Sequence, residues 1–281
     1  MRVLAMILTA RRPLLTVLLL GALTFVAACG KENAAGSPTS AVGTRPAQAT
    51  SSPAAASTPG TPAPATGIGS DVAANLFQNG SFESGPAPWI SLTTEAWGTP
   101  FSVTDERAHS GKQSAFLELR AKSEDTGPKV FGVVQELSPP AEFPEVISGY
   151  YRVEDWVRGS PKQYLQFVVI AFGAGNLPGD HPNHQIRYVL GGVSEPPLSI
   201  SNAKYIFLSR EDPVTDKWVY FQVPVSKDFT EQWGDVPKGY QKLRLLFEVR
   251  YDDKPVGAEA QANTFYDDLY MGPAEGNPSQ P

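Results

Sequence analysis

LFQNGSFESGPAPW, Leu76 to Trp89, is the stretch from which the rest of the chain is read. A short apolar start runs into Asn79-Gly80, two residues that tolerate positive φ and so suit a tight turn. Phe82 and Trp89 are large apolar anchors for a core. Glu83, beside Phe82, is an acid that needs a partner if the stretch is buried. The stretch is expected to form the first strand of a β-sandwich.

The chain beyond Trp89 supports that class. Turn signals such as Ser110-Gly111, Gly127-Pro128, Pro139-Pro140, Gly159-Ser160-Pro161 and Pro178-Gly179 punctuate runs rich in Val, Ile, Phe, Tyr and Trp. The runs predict strands over Ser114–Arg120, Lys129–Leu137, Val146–Trp156, Gln163–Phe172 and Gln185–Leu190. Further strands are predicted over Lys204–Leu208, Trp218–Val225, Gln241–Tyr251 and Asn263–Met271. Only Lys227–Trp233 suggests a turn or two of helix. Spacing of this kind predicts an all-β sandwich.

Three segments carry a family resemblance. Leu76–Trp89 together with RAHSGKQSAFLEL (Arg107–Leu119) and TFYDDLYM (Thr264–Met271) resembles the opening, early and closing segments of family 4 and family 9 carbohydrate-binding modules. These modules lie within the galactose-binding-like jelly-roll superfamily. The resemblance implies a β-sandwich jelly roll, a glycan partner and no catalysis. It also implies a structural calcium tying the first strand to the last. The matching acids are Glu83 and Asp267, with Asp268 as alternate; the neutral ligands are backbone carbonyls near Ser81 and in the Ser110–Lys112 turn. The residues alone allow another reading, in which Glu83 accepts backbone or hydroxyl hydrogen bonds and Asp267 caps an edge.

Period-2 alternation separates strand faces. If the strands share a sheet, one face collects Tyr150, Arg152, Glu154, Trp156, Gln166, Arg187, Arg244, Glu248 and Arg250. Flat aromatics and multidentate polar side chains are what sugar rings and hydroxyls require. The expected ligand-binding residues are therefore Tyr150, Arg152, Glu154, Trp156, Gln166, Arg187, Glu248 and Arg250. The same face reads as readily as a salt-bridged, solvated surface. Trp89, Trp97 and Trp218 are expected in the core, and Trp156 and Trp233 nearer turns as platforms. Gln163–Phe172, apolar on both faces in its second half, is expected to be a central strand. His181 and His184 beside Asp180 read as solvated loop residues rather than a metal site. Glu154 and Glu248 would supply the count for a glycosidase pair, but no motif singles them out. The expectation is a non-enzyme.

Residues 1–28 read as a lipoprotein signal peptide: Arg2, Arg11 and Arg12 lead an apolar run that ends Val26-Ala27-Ala28-Cys29-Gly30. The ending resembles a bacterial lipobox and implies lipidation of Cys29, the single cysteine of the chain. A lone cysteine excludes an intrachain disulfide and a cysteine zinc site. Residues 29–70, dominated by Ala, Pro, Ser, Thr and Gly, read as a disordered tether, whose roughly 40 residues reach about 130 Å at most. The sandwich is expected over 71–274 and a disordered tail over 275–281. The net charge of −6 argues against nucleic acid. Together these features predict a lipoprotein of the cell or outer membrane, facing the extracellular or periplasmic side. It is expected to bind a glycan or, alternatively, another cell-envelope protein.

Overall fold

The computed structural model describes residues 74–92, 98 and 100–278. Cys29, the expected leader and tether, and Trp97 lie outside the described residues. The described chain forms eleven strands, one α-helix and one short 3-10 turn. The strands are β1 (Ile90–Ser91), β2 (Ser102–Thr104), β3 (Ser114–Ala121), β4 (Gly127–Leu137), β5 (Val146–Val157), β6 (Gln163–Phe172), β7 (Asn183–Gly191), β8 (Ala203–Phe207), β9 (Trp218–Val223), β10 (Lys242–Lys254) and β11 (Ala260–Gly272). The helix α1 spans Val225–Trp233.

Two sheets face each other. The six-stranded sheet runs β1-β4-β10-β6-β7-β8 and the five-stranded sheet β2-β3-β11-β5-β9. Every pairing is antiparallel except β7 with β8. The fold is an all-β sandwich, as the turn spacing predicts, and of the jelly-roll class that the resemblance implies. Alternation along β10 turns Leu243, Leu245, Phe247, Val249 and Tyr251 inward, where all are fully buried. Phe247 is the hub: its ring lies 5.5 Å from Phe167, 5.3 Å from Tyr266 and 6.0 Å from both Phe77 and Trp89.

Leu76–Trp89 anchors this core but is not the strand expected. It runs through turns, and regular pairing starts only at Ile90. Asn79 is the cause. Its φ is 54°, its amide nitrogen donates to the carbonyls of Gly85 (2.7 Å) and Ala87 (3.0 Å), and its Oδ1 accepts from Ser84 N–H. The Asn79 carbonyl accepts from the Trp89 indole at 2.9 Å. Local bonds of this kind compete with a ladder and here replace it. Phe82 and Trp89 still reach the core, with ring centroids 5.3 Å apart. The stretch is clamped to β11: Asn75 donates to Leu269 O and accepts from Met271 N–H, and Gly80 O accepts from Leu269 N–H. A Cβ at Gly80 would run into the Leu269 carbonyl, so this close approach needs glycine.

The central strands of the six-stranded sheet are largely buried on both faces. On its outer side Val134, Val168, Ile170 and Leu246 form a second apolar cluster, and Tyr164, Val189 and Val193 a third. β6 is the central strand expected of Gln163–Phe172. Helix α1 ends at Gly234, whose φ of 89° closes it in the left-handed conformation. The packed chain continues past residue 274 to Asn277, which is buried and bonded to Ser148, Tyr220 and Gln222.

Candidate ligand-binding face

The eight expected ligand-binding residues lie on two sheets. Tyr150, Arg152, Glu154 and Trp156 sit on β5 of the five-stranded sheet. Gln166, Arg187, Glu248 and Arg250 sit on β6, β7 and β10 of the six-stranded sheet. Alternation tells in from out within a strand but carries no information on which sheet a strand joins.

The β5 group is largely self-satisfied. Glu154 Oε1 accepts from both Arg152 (2.6 Å) and Arg107 (2.7 Å). Burial works to raise the Glu154 carboxyl, but these two hydrogen bonds outweigh it and hold the pKa below the usual range. Tyr150 is stacked on His109 at 3.5 Å and flanked by Tyr220 at 5.2 Å. Trp156 is half-buried. A bulge at Asp155 (φ 52°) shifts the register with β11 between Gln261 and Asn263, and Trp156 packs against the core. Trp218, expected in the core, instead sits half-buried near His109, at 5.8 Å. Trp233 is buried: its indole donates to Gln185 O, and His184 packs on it at 4.8 Å. His184 is itself buried, not solvated, with Nε2 donating to Pro178 O at 3.0 Å.

The outer face of the six-stranded sheet is different. Register sets Glu248 opposite Gln166, Arg250 opposite Tyr164, and Arg187 between Val168 and Tyr205. Gln166 is fully buried and Glu248 only 3% exposed. Gln166 Nε2 donates to Glu248 Oε2 at 2.6 Å. Arg250 Nε donates to Asp252 at 3.1 Å, and Tyr164 OH donates to Asp252 Oδ2 at 2.8 Å. Arg187 donates through Nε and Nη2 to Gln185 Oε1. Burial pushes the phenols of Tyr164 and Tyr205 upward, so both remain hydrogen-bond donors.

Three buried polar atoms on this face have no hydrogen-bond partner among the described residues: Gln166 Oε1, Arg187 Nη1 and Tyr205 OH. They come from β6, β7 and β8, three adjacent strands. Asp252 and Tyr164 fall on this face by alternation alone. Tyr205 does not figure among the expected residues; its signal is the Tyr205-Phe207 alternation on β8, a short edge strand. At the other edge Gly132, opposite Glu248, leaves room for the side chain of Leu92, which lies over it.

Of the expected metal residues, Glu83 and Asp267, with the alternate Asp268, bond to one turn, His109–Gln113. Glu83 Oε1 accepts from the N–H groups of Lys112 and Gln113, both at 2.7 Å. Asp267 accepts from the N–H groups of His109 (2.7 Å), Ser110 (3.3 Å) and Asp268 (2.8 Å). Asp268 bonds His109 Nδ1 at 2.6 Å and Ser110 Oγ at 2.7 Å. Ser81 is buried nearby in sequence. Burial first, and the charge of Asp268 second, push the Asp267 carboxyl up to about 8. Lys112 offers Glu83 its N–H here, whereas the resemblance implies a carbonyl in this turn. Among the described residues no three His, Cys, Asp or Glu side chains gather as a metal-binding group.

No protein-family model and no curated protein matches the chain. Among solved structures it is similar to a family 61 carbohydrate-binding module in complex with β-1,4-galactotriose, at 13% identity and a TM-score of 0.39, covering 70% of this chain and 97% of that one. It is also similar to the C-terminal family 22 carbohydrate-binding module of Clostridium thermocellum Xyn10B (12%, TM-score 0.37, 71% and 95% covered). A third is a family 28 module specific for non-crystalline cellulose (12%, TM-score 0.36, 71% and 96% covered). TM-scores this low carry neither a ligand nor a site over to this chain.

Proposed function

We propose that the chain is a non-catalytic glycan-binding protein, and that the outer face of the six-stranded sheet is its binding face. One observation carries the reading: Gln166 Oε1, Arg187 Nη1 and Tyr205 OH are buried and unpartnered on adjacent strands. Each such atom costs about 1–3 kcal/mol until a partner fills it. An acceptor, a donor and a hydroxyl that does both form the set that the hydroxyls of a sugar satisfy. The β5 residues Tyr150, Arg152 and Glu154 stand outside this face. The test is a glycan array probed with the full chain in detergent, alongside Gln166→Leu and Tyr205→Phe. Selective binding weakened by both variants supports the proposal. A silent array for a folded chain overturns it and turns attention to an envelope-protein partner.

The proposal includes anchoring through lipidated Cys29 at the cell or outer membrane. Cys29→Ser should move the protein from the membrane fraction to the soluble fraction; unchanged fractionation removes the anchor from the proposal. It also includes a calcium ion at Glu83 and Asp267. The buried Asp267 carboxyl, pushed up by burial and by the charge of Asp268, would gain most from a cation. Chelation should lower the melting temperature by several degrees. No shift, together with no metal in elemental analysis, removes calcium.

A further inference from the structure

The arginines of this fold follow a rule with two exceptions. Arg107 and Arg152 pair with Glu154, Arg120 with Glu118, Arg158 with Asp212, Arg244 with Glu136, and Arg250 with Asp252. Among the described residues, Arg187 and Arg210 have no carboxylate partner. The two lie at the same end of the candidate face. Arg187 opposes Tyr205 in the register of β7 with β8, and its guanidinium stands 5.8 Å from that ring. Arg210 stands 4.1 Å over Phe207, two residues along β8 and therefore on the same side of the strand. Arg187 spends Nε and Nη2 on the neutral Gln185 and leaves Nη1 buried and open. Arg210 donates Nη1 to the Ser194 carbonyl. The acids nearby are already engaged: Asp252 by Arg250 and Tyr164, and Glu248 by Gln166, with Arg250 at 3.9 Å.

A guanidinium is always charged and only donates. Of the three unpartnered atoms, its open N–H leaves the largest interaction unmade, because a charge-assisted bond is roughly twice as strong as a neutral one. A neutral sugar hydroxyl fills the position. A carboxylate fills it better, with Tyr205 OH free to donate to the same group. Resting on the glycan reading, we infer that the β7–β8 end of the face is a subsite for a carboxylate-bearing sugar, a uronate, and that Arg187 and Arg210 select for it.

The experiment uses matched polymers: polygalacturonate, alginate and hyaluronan, each native and after chemical reduction of its carboxyl groups, with neutral xylan and galactan beside them. Binding to the full chain is measured by calorimetry at low and high salt. The expected result is that at least one native acidic polymer binds, that carboxyl reduction weakens it tenfold or more, and that added salt weakens it too. Arg187→Gln should cost about as much as carboxyl reduction and cost much less on the reduced polymer, where only a neutral hydroxyl is left to accept from the guanidinium. Arg210→Gln, at an exposed position, should cost several-fold without altering the melting temperature. Binding of neutral or reduced polymers at full strength, unaffected by either variant, overturns the subsite and leaves the glycan reading standing. No binding of either form by a folded chain overturns the glycan reading itself.

Discussion

Asn79 illustrates how one side chain can override a strand. Its αL backbone angle and its bonds to Gly85, Ala87 and Ser84 fold the opening stretch into turns while Phe82 and Trp89 still reach the core. Asn79→Ala loses the bonds and strains the backbone and should cost about 2–4 kcal/mol in urea denaturation. Asn79→Gly keeps the angle and should cost less; equal losses would show that the angle contributes nothing. Asp228 gives a pH dependence. Burial raises its pKa, against the opposing hydrogen bond from Tyr188. A raised carboxyl keeps its proton in the folded state after the unfolded chain has released its own, near pH 4. Its contribution is therefore fully present below about pH 4 and declines as pH rises through the folded pKa. Asp228→Asn, which still accepts from Tyr188, should flatten that part of the melting profile, and an unchanged slope would assign it to other groups.

At the scale of the element, β5 shows what the sequence reveals and what it hides. Its position, its alternation from Tyr150 to Glu154 and its strand character are legible in Val146–Trp156. The bulge is not, because it depends on how β11 pairs with it, more than a hundred residues away. After Asp155 the phase is lost, and Trp156 turns from expected platform to core-packed side chain. Trp156→Ala should then cost about 2–4 kcal/mol of stability and leave the affinity of any bound glycan unchanged. Loss of binding in a variant that melts like the parent would restore Trp156 to the site. The same limit explains why the expected ligand-binding residues divide between two sheets. β5 and β6 are consecutive, but the Gly159-Ser160-Pro161 connection carries the chain from one sheet to the other. The outward side of β6, β7 and β10 is legible strand by strand; that these strands share a sheet without β5 is not.

For the whole molecule, the way the two ends of the domain meet has a mechanical consequence. The chain enters at Ala74 beside Gly272, and Asn75 and Leu76 bond to Leu269 and Met271 on the last strand. A pull applied from the N-terminal side while ligand is held on the six-stranded sheet arrives first at these few bonds. Behind them stand Phe77, Phe82 and Trp89, which must leave the Phe247 core before the sandwich can open. The Asn75 clasp is thus the first fastening to bear load and the aromatic group the second. In single-molecule stretching, Asn75→Ala should lower the force of the first rupture and leave the later, cooperative one unchanged. The clasp would then serve as a strain relief, yielding at its own bonds before the binding face distorts.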